Sequence, residues 1–218
     1  MAAVFIPGWG ASPLLYARLV PHGWEVLDPP SFHATRGALS AYRAWLRVEL
    51  SSRPGPIVLG GHSFGAALAV LATAEGDVDV DRLVLVAPAG LPLSKPINRS
   101  LRDFCAQIAA GLYPLVEAAR LTASALRAPR SALRLARAVR ALDIRVELSA
   151  LRRRGVPCVV VAAESDTLTT PAHCRAIADA AGGDYRELPI GGGHMWFLNP
   201  SACTTQQLPF AAQTAGPV

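Results

Sequence analysis

Gly61-His62-Ser63-Phe64-Gly65 decides how this chain is read. A short apolar run, Pro56-Ile57-Val58-Leu59, comes before it, and the Ala-rich run Ala66-Ala67-Leu68-Ala69-Val70-Leu71-Ala72 comes after. That order predicts strand, sharp turn, helix. A serine on such a turn stands clear of the sheet with its hydroxyl exposed. The flanking glycines let a strained backbone turn while strand and helix approach closely. With 18 glycines in 218 residues the pattern can arise by chance, so its context carries the weight.

Working outward, short apolar runs recur. Ala3-Val4-Phe5-Ile6 ends at the glycine-rich turn Pro7-Gly8-Trp9-Gly10-Ala11-Ser12, where Ser12 is expected to cap a helix through Leu14, Leu15, Ala17 and Leu19. Trp24-Glu25-Val26-Leu27 stops at Asp28-Pro29-Pro30, whose prolines suit an edge strand. Leu39, Tyr42, Leu46 and Leu50 have helical spacing. Leu83-Val84-Leu85-Val86-Ala87 and Val156-Pro157-Cys158-Val159-Val160-Val161-Ala162 read as strands, the second opening into Glu164-Ser165-Asp166-Thr167. A helix starting at Pro171 follows. The last strand, Tyr185 to Ile190, opens into Gly191-Gly192-Gly193-His194. Continuous apolar strands alternating with helices predict a parallel sheet covered on both faces, with ligands beyond the carboxyl ends of the strands. Trp9, Ser63, Asp166 and His194 all fall just after a strand.

The strand pattern stops over residues 91–142, too long a stretch for a structureless loop. Ser100-Leu101-Arg102-Asp103 resembles a capping box, with Leu101, Phe104, Cys105, Ile108 and Leu112 as one apolar stripe. Leu115, Ala118, Ala119 and Thr122 indicate a second helix. Arg130, Arg134, Arg137 and Arg140 line one face of a third, opposite Leu135, Val139 and Leu142. The expected organisation is a core of residues 1–90 and 143–218 with a helical cap of residues 91–142 inserted after the fourth strand. The arginine face reads as solvated, or as a docking surface for an acidic partner or an anionic membrane.

Bulk composition narrows the classes. The chain is 51% hydrophobic and 17% charged, which suits one globular domain. No secretory signal is expected, because Met1-Ala2-Ala3 lacks a basic segment, and no apolar run approaches the roughly 20 residues of a membrane helix. Cys105, Cys158, Cys174 and Cys203 form no C-x-x-C and read as reduced packing thiols in a cytoplasmic protein. The net charge of +5 is almost all arginine, Lys95 being the one lysine, and no nucleic-acid-binding motif accompanies it. No two histidines sit at ligand spacing, so neither metal nor cofactor is expected.

Nucleophilic catalysis by serine needs a base for its proton, an acid to hold that base, and fixed N–H donors for the oxyanion. His194, Asp166 and the glycine-flanked turns at Trp9 and Phe64 offer these. Together the segments resemble the α/β-hydrolase superfamily over nearly the whole chain. Residues 61–65 match its nucleophile elbow, Glu164-Ser165-Asp166-Thr167-Leu168 looks like its acid turn, and Gly193-His194-Met195 is similar to its histidine turn. Pro7-Gly8-Trp9-Gly10 resembles its oxyanion loop, with Pro7 where the family usually has histidine. The first two strands of the family have no counterpart. The resemblance therefore implies a six-stranded parallel doubly wound sheet of order 2-1-3-4-5-6 with an inserted helical cap. It implies Ser63 as nucleophile, His194 as general base, Asp166 as the orienting acid, and the backbone N–H groups of Trp9 and Phe64 as the oxyanion hole. Glu164 is the competing acid. His62 reads as a packing neighbour, His22, His33 and His173 as surface residues, and Met195 and Trp196 as core or pocket wall.

The expected reaction is hydrolysis of a carboxylic ester with a small or medium apolar acyl group through an acyl-enzyme. Leu101, Phe104, Ile108 and Leu112 are expected to line the acyl pocket. The same residues would serve an acyl thioesterase or a C–C bond hydrolase, and an acyl carrier protein would suit the arginine face. From another class, the fold could serve as a ligand receptor.

Overall fold

A computed structural model describes residues 1–109, 113–198 and 210 of the chain. Six strands form one parallel sheet: β1 (Ala2–Ile6), β2 (Trp24–Val26), β3 (Ile57–His62), β4 (Val80–Val86), β5 (Cys158–Ala163) and β6 (Asp184–Leu188). Their order across the sheet is β2-β1-β3-β4-β5-β6, as the resemblance implies. β3 and β5 are buried at every position, which is why they read as unbroken apolar runs. The edge strands β2 and β6 are only partly covered, and their sequences mix in Glu25, Arg186 and Glu187.

Alternation along the strands splits the core into two layers. Val4, Ile6, Leu59, Leu83, Leu85 and Val160 point to one face. There α2 (Leu39–Ser51), α3 (Phe64–Glu75), α7 (Arg145–Arg153) and α8 (Pro171–Ala181) cover them through Leu46, Leu68, Leu148 and Ile177. Phe5, Val58, Val84, Val86 and Val161 point to the other face, where Leu15, Tyr16, Leu19, Trp196 and Phe197 pack. Much of that second layer comes from the 3₁₀ turns Pro13–Tyr16 and Gly193–Leu198. Fully buried leucines such as Leu59 and Leu68 each stabilise the fold by about 2–5 kcal/mol relative to alanine.

The remaining helices are the single turn α1 (Phe32–Thr35) and three that follow β4: α4 (Ile97–Ala109), α5 (Leu115–Arg127) and α6 (Pro129–Arg140). α6 buries Ala132, Leu135 and Val139 and exposes Arg130, Arg134 and Arg137. Arg140 departs from the expected solvent face: its guanidinium turns inward to the carbonyl oxygens of Leu93 and Lys95. α4 begins at Ile97, so Ser100 is inside the helix and not its cap. Ser12 stands at the N-cap position of the 3₁₀ turn Pro13–Tyr16 but makes no side-chain cap bond there; its hydroxyl donates to the buried Glu117 carboxylate of α5 at 2.5 Å, tying that helix to the turn after β1. Among the described residues no helix is long and apolar enough to cross a membrane.

Candidate active site

The elbow forms because β3 runs straight into α3 with Ser63 between them. Ser63 holds φ 53° and ψ −115°, a strained conformation for a residue with a side chain. Its N–H donates to Val86 O at 3.0 Å, and its carbonyl accepts from Ala89 N–H at 3.0 Å, so β4 fixes the turn. Both flanking glycines are sterically required. A β-carbon on Gly61 would lie 2.5 Å from the Gly65 carbonyl carbon, and one on Gly65 would lie 2.1 Å from Ile6 O. That close approach sets the start of α3 against the end of β1, beside the turn that carries Trp9.

Gly8 and Ala11 close that turn, Ala11 N–H donating to Gly8 O at 3.1 Å. Trp9 and Gly10 occupy its tip, with Gly10 in the left-handed region at φ 65°. Phe64 is the first residue of α3, where helical geometry leaves the backbone N–H without an intrahelical acceptor. The two N–H groups that the resemblance assigns to an oxyanion thus belong to adjacent turns held together by Gly65.

Ser63, His194 and Asp166 meet in one hydrogen-bonded chain. His194 Nε2 lies 2.8 Å from Ser63 Oγ, and His194 Nδ1 lies 2.8 Å from Asp166 Oδ2. Asp166 is buried, whereas the competing Glu164 is exposed. Asp166 Oδ1 accepts from Leu168 N–H at 2.8 Å and Thr169 N–H at 3.1 Å; Thr169 Oγ1 lies 2.9 Å from Oδ2. Burial pushes the Asp166 carboxyl up, but the adjacent His194 and these hydrogen bonds outweigh it and leave the group below its ordinary value. It is therefore ionised at neutral pH and able to accept a hydrogen bond from the Nδ1–H of His194. Ser165 joins the acid turn to the histidine loop, donating to Ile190 O at 2.7 Å and accepting from Gly193 N–H at 3.1 Å.

A cavity of about 470 Å³ opens over Ser63 and His194. Its wall is mostly apolar: Leu121, Ala132, Leu133 and Val139 come from α5 and α6, and Leu168 and Met195 from the core. At one side Lys95 pairs with Asp103 of α4 and with Thr167 Oγ1, next to Asp166. Of the expected pocket residues, Leu112 and the side chains of Leu101, Phe104 and Ile108 lie outside the described residues. Among the described residues no group of three or more histidine, cysteine and carboxylate side chains is placed to hold a metal ion.

Three residues take places that sequence reading did not assign them. Thr169 contacts Asp166, with D-x-x-T spacing as a faint local signal. His173 is half-buried rather than on the surface, and burial holds its imidazole below the ordinary value. His62 is fully buried and hydrogen-bonded at both nitrogens, more than a packing neighbour.

A model of the alpha/beta hydrolase family matches residues 3–204. No curated protein matches the sequence. Among solved structures, a lipase-esterase related protein from Clostridium acetobutylicum superposes with a TM-score of 0.69 at 13% identity, over 91% of this chain and 88% of that one. An esterase from Exiguobacterium antarcticum gives 0.65 at 16% identity, over 89% and 85%. The enol-lactonase from Burkholderia xenovorans LB400 gives 0.59 at 19% identity, over 88% and 84%. At such identities the likeness is one of fold.

Proposed function

The chain belongs to the alpha/beta hydrolase family, and from that premise we propose that it is a serine hydrolase acting on carboxylic esters of small or medium apolar acids. The observation that carries this reading is the unbroken Asp166–His194–Ser63 hydrogen-bonded chain at the floor of an apolar cavity. Ser63 Oγ attacks the ester carbonyl while His194 Nε2 takes its proton. Asp166 holds Nδ1–H toward itself and stabilises the imidazolium that forms. The N–H groups of Trp9 and Phe64 receive the oxyanion. Collapse expels the alcohol, protonated by His194. Water, deprotonated by the same nitrogen, then cleaves the acyl-Ser63 ester and restores the enzyme.

The wall of the cavity supports an apolar substrate, because it offers hydrocarbon surface and few polar partners. Its volume falls in the range of small-molecule sites. α4, α5 and α6 act in this reading as the cap that closes the site. One observation favours a second substrate form, an acyl thioester on an acidic carrier: Arg130, Arg134 and Arg137 are exposed without an ion pair among the described residues, on the helix whose other side lines the cavity. A fluorophosphonate probe tests the common core of both forms. It should label wild-type protein at Ser63 and leave Ser63→Ala unlabelled, since only an activated serine reacts. Unlabelled wild-type protein would favour a ligand receptor on this fold.

A further inference from the structure

Beneath the site, two buried side chains join the turn at Gly8 to the loop at His194. Gly8 N–H donates to Tyr16 Oη at 2.8 Å, Tyr16 Oη lies 3.0 Å from His62 Nδ1, and His62 Nε2 lies 3.3 Å from the carbonyl oxygen of His194. The direction of each bond follows from chemistry. A carbonyl oxygen only accepts, so His62 Nε2 carries a proton. Burial first, and repulsion from His194 second, hold the His62 imidazole well below its ordinary value, so the ring is neutral. Its Nδ1 is therefore bare and accepts the Tyr16 hydroxyl proton. Tyr16 Oη in turn accepts from Gly8. Every polar atom of this buried series is satisfied in one arrangement only.

We propose that Tyr16 and His62 are positioning residues that hold the oxyanion turn and the catalytic-histidine loop in register around Ser63, an inference that rests on the serine-hydrolase reading above. Gly8 precedes Trp9, whose N–H is one of the two oxyanion donors. His194 is the base itself, and its carbonyl is the far anchor. His62 also adjoins Ser63 in the chain. The bridge thus touches the backbone of three elements that must keep their relative places to a fraction of an ångström. Gly8 is shaped to it: a β-carbon there would meet His62 Nδ1 at 2.9 Å and Tyr16 Oη at 3.2 Å. The rings also pack, Tyr16 stacking on Phe197 at 5.3 Å and His62 lying 4.7 Å from His194 between centroids, but packing alone needs neither the hydroxyl nor the two nitrogens.

The test separates the bonds from the packing. Tyr16→Phe keeps the ring and removes the hydroxyl. His62→Leu removes both nitrogens, and His62→Gln returns an N–H donor near the place of Nε2. Each protein is measured for kcat and KM on p-nitrophenyl butyrate, for the rate of Ser63 phosphonylation by a fluorophosphonate, and for Tm. Tyr16→Phe and His62→Leu should lose about tenfold to a hundredfold in kcat and in phosphonylation, with KM within about twofold of wild type. His62→Gln should recover most of what His62→Leu loses. If wild-type Ser63 is phosphonylated and folded Tyr16→Phe and His62→Leu match its rate and kcat, the bridge is not a positioning device. Wild-type protein that is never phosphonylated removes the hydrolase reading and the bridge with it.

Discussion

Gly65 stands so close to Ile6 that a β-carbon on it would lie 2.1 Å from the Ile6 carbonyl oxygen. The contact joins the start of α3 to the end of β1, and so places Phe64 N–H beside the turn that carries Trp9. Gly65→Ala must push these backbones apart. It should destabilise the fold by about 1–3 kcal/mol or more, as overpacking does, and should cut fluorophosphonate labelling of whatever protein folds. Gly76 is the control. Its φ of 82° is left-handed, as that of Gly65 is not, and a β-carbon there would meet nothing within 4 Å. Gly76→Ala should cost only the backbone penalty, about 1–2 kcal/mol, with labelling per folded molecule unchanged. Urea midpoints and labelling of the two variants check this; equal effects would refute the steric account.

The hydrogen-bonded chain predicts how activity divides among its members. Ser63→Ala should lower kcat by about 10⁴–10⁶ with folding little changed. Asp166→Asn should lower it by about 10⁴, because the amide no longer holds the required tautomer of His194. Glu164→Gln, on an exposed side chain, should leave kcat within about twofold of wild type. Thr169→Val removes a hydroxyl 2.9 Å from the Asp166 carboxylate and should cost about tenfold in kcat, the scale of one hydrogen bond to a charged group. Steady-state kinetics on one p-nitrophenyl ester decides all four. A larger loss in Glu164→Gln than in Asp166→Asn would exchange the two acids.

Why the chemistry is legible in the sequence and its support is not comes down to sequence distance. Residues 61–65, 164–168 and 193–195 each carry a local signature, because a turn that must bend sharply after a strand needs glycine or a short polar residue within a few positions. The central strands are legible for a similar local reason, as apolar runs, whereas their order across the sheet follows from the family resemblance and from no local signal. Ser12 shows the opposite case. Its local pattern marks a helix cap, but its hydroxyl is taken by Glu117, 105 residues away, and no short-range rule foresees that. Tyr16 and His62 are 46 residues apart, and His62 and His194 are 132 apart. Their pairing exists only once the sheet has brought three strand ends together. The helix α7 has a signal of its own in Ile144, Leu148 and Leu151 at spacings of four and three, a short stripe obscured by the arginine-rich segment beside it.

Acid should unfold this protein earlier than its carboxylates alone would. Unfolded His62 takes up a proton as pH falls through about 6.5, whereas folded His62, buried beside His194 and Tyr16 and opposed only in part by Asp166, does so well below that. The unfolded state then binds more protons, so stability falls as pH drops below about 6.5. Between pH 7.5 and 5.5 this one group accounts for a loss of stability on the order of 1 kcal/mol. His173 adds to it in the same direction, and less, because it is only half-buried. Urea unfolding of wild type and His62→Gln at the two pH values should show the acid loss shrinking by about that amount in the variant. An identical loss in both would mean that His62 is charged in the folded protein.

The cavity wall makes the acyl preference measurable. If the acyl chain lies against Leu121, Ala132 and Val139, each added methylene gains about 0.8 kcal/mol on burial, or roughly fourfold in kcat/KM where the contact persists in the transition state. The rise should end where the cavity of about 470 Å³ is filled, at roughly four to eight carbons by the usual size of such sites. A p-nitrophenyl series from acetate to dodecanoate at fixed pH and salt checks it, and a flat series would remove the apolar acyl site. Matched acyl thioesters decide between the two substrate forms: a preference of about a hundredfold or more over the esters would make the carrier-bound thioester the substrate, since that is about 2.7 kcal/mol or more of selective transition-state binding. In that event replacing the exposed Arg134 and Arg137 with glutamine should raise KM for the carrier-bound thioester, more at low salt than at high, and leave the small esters unaffected.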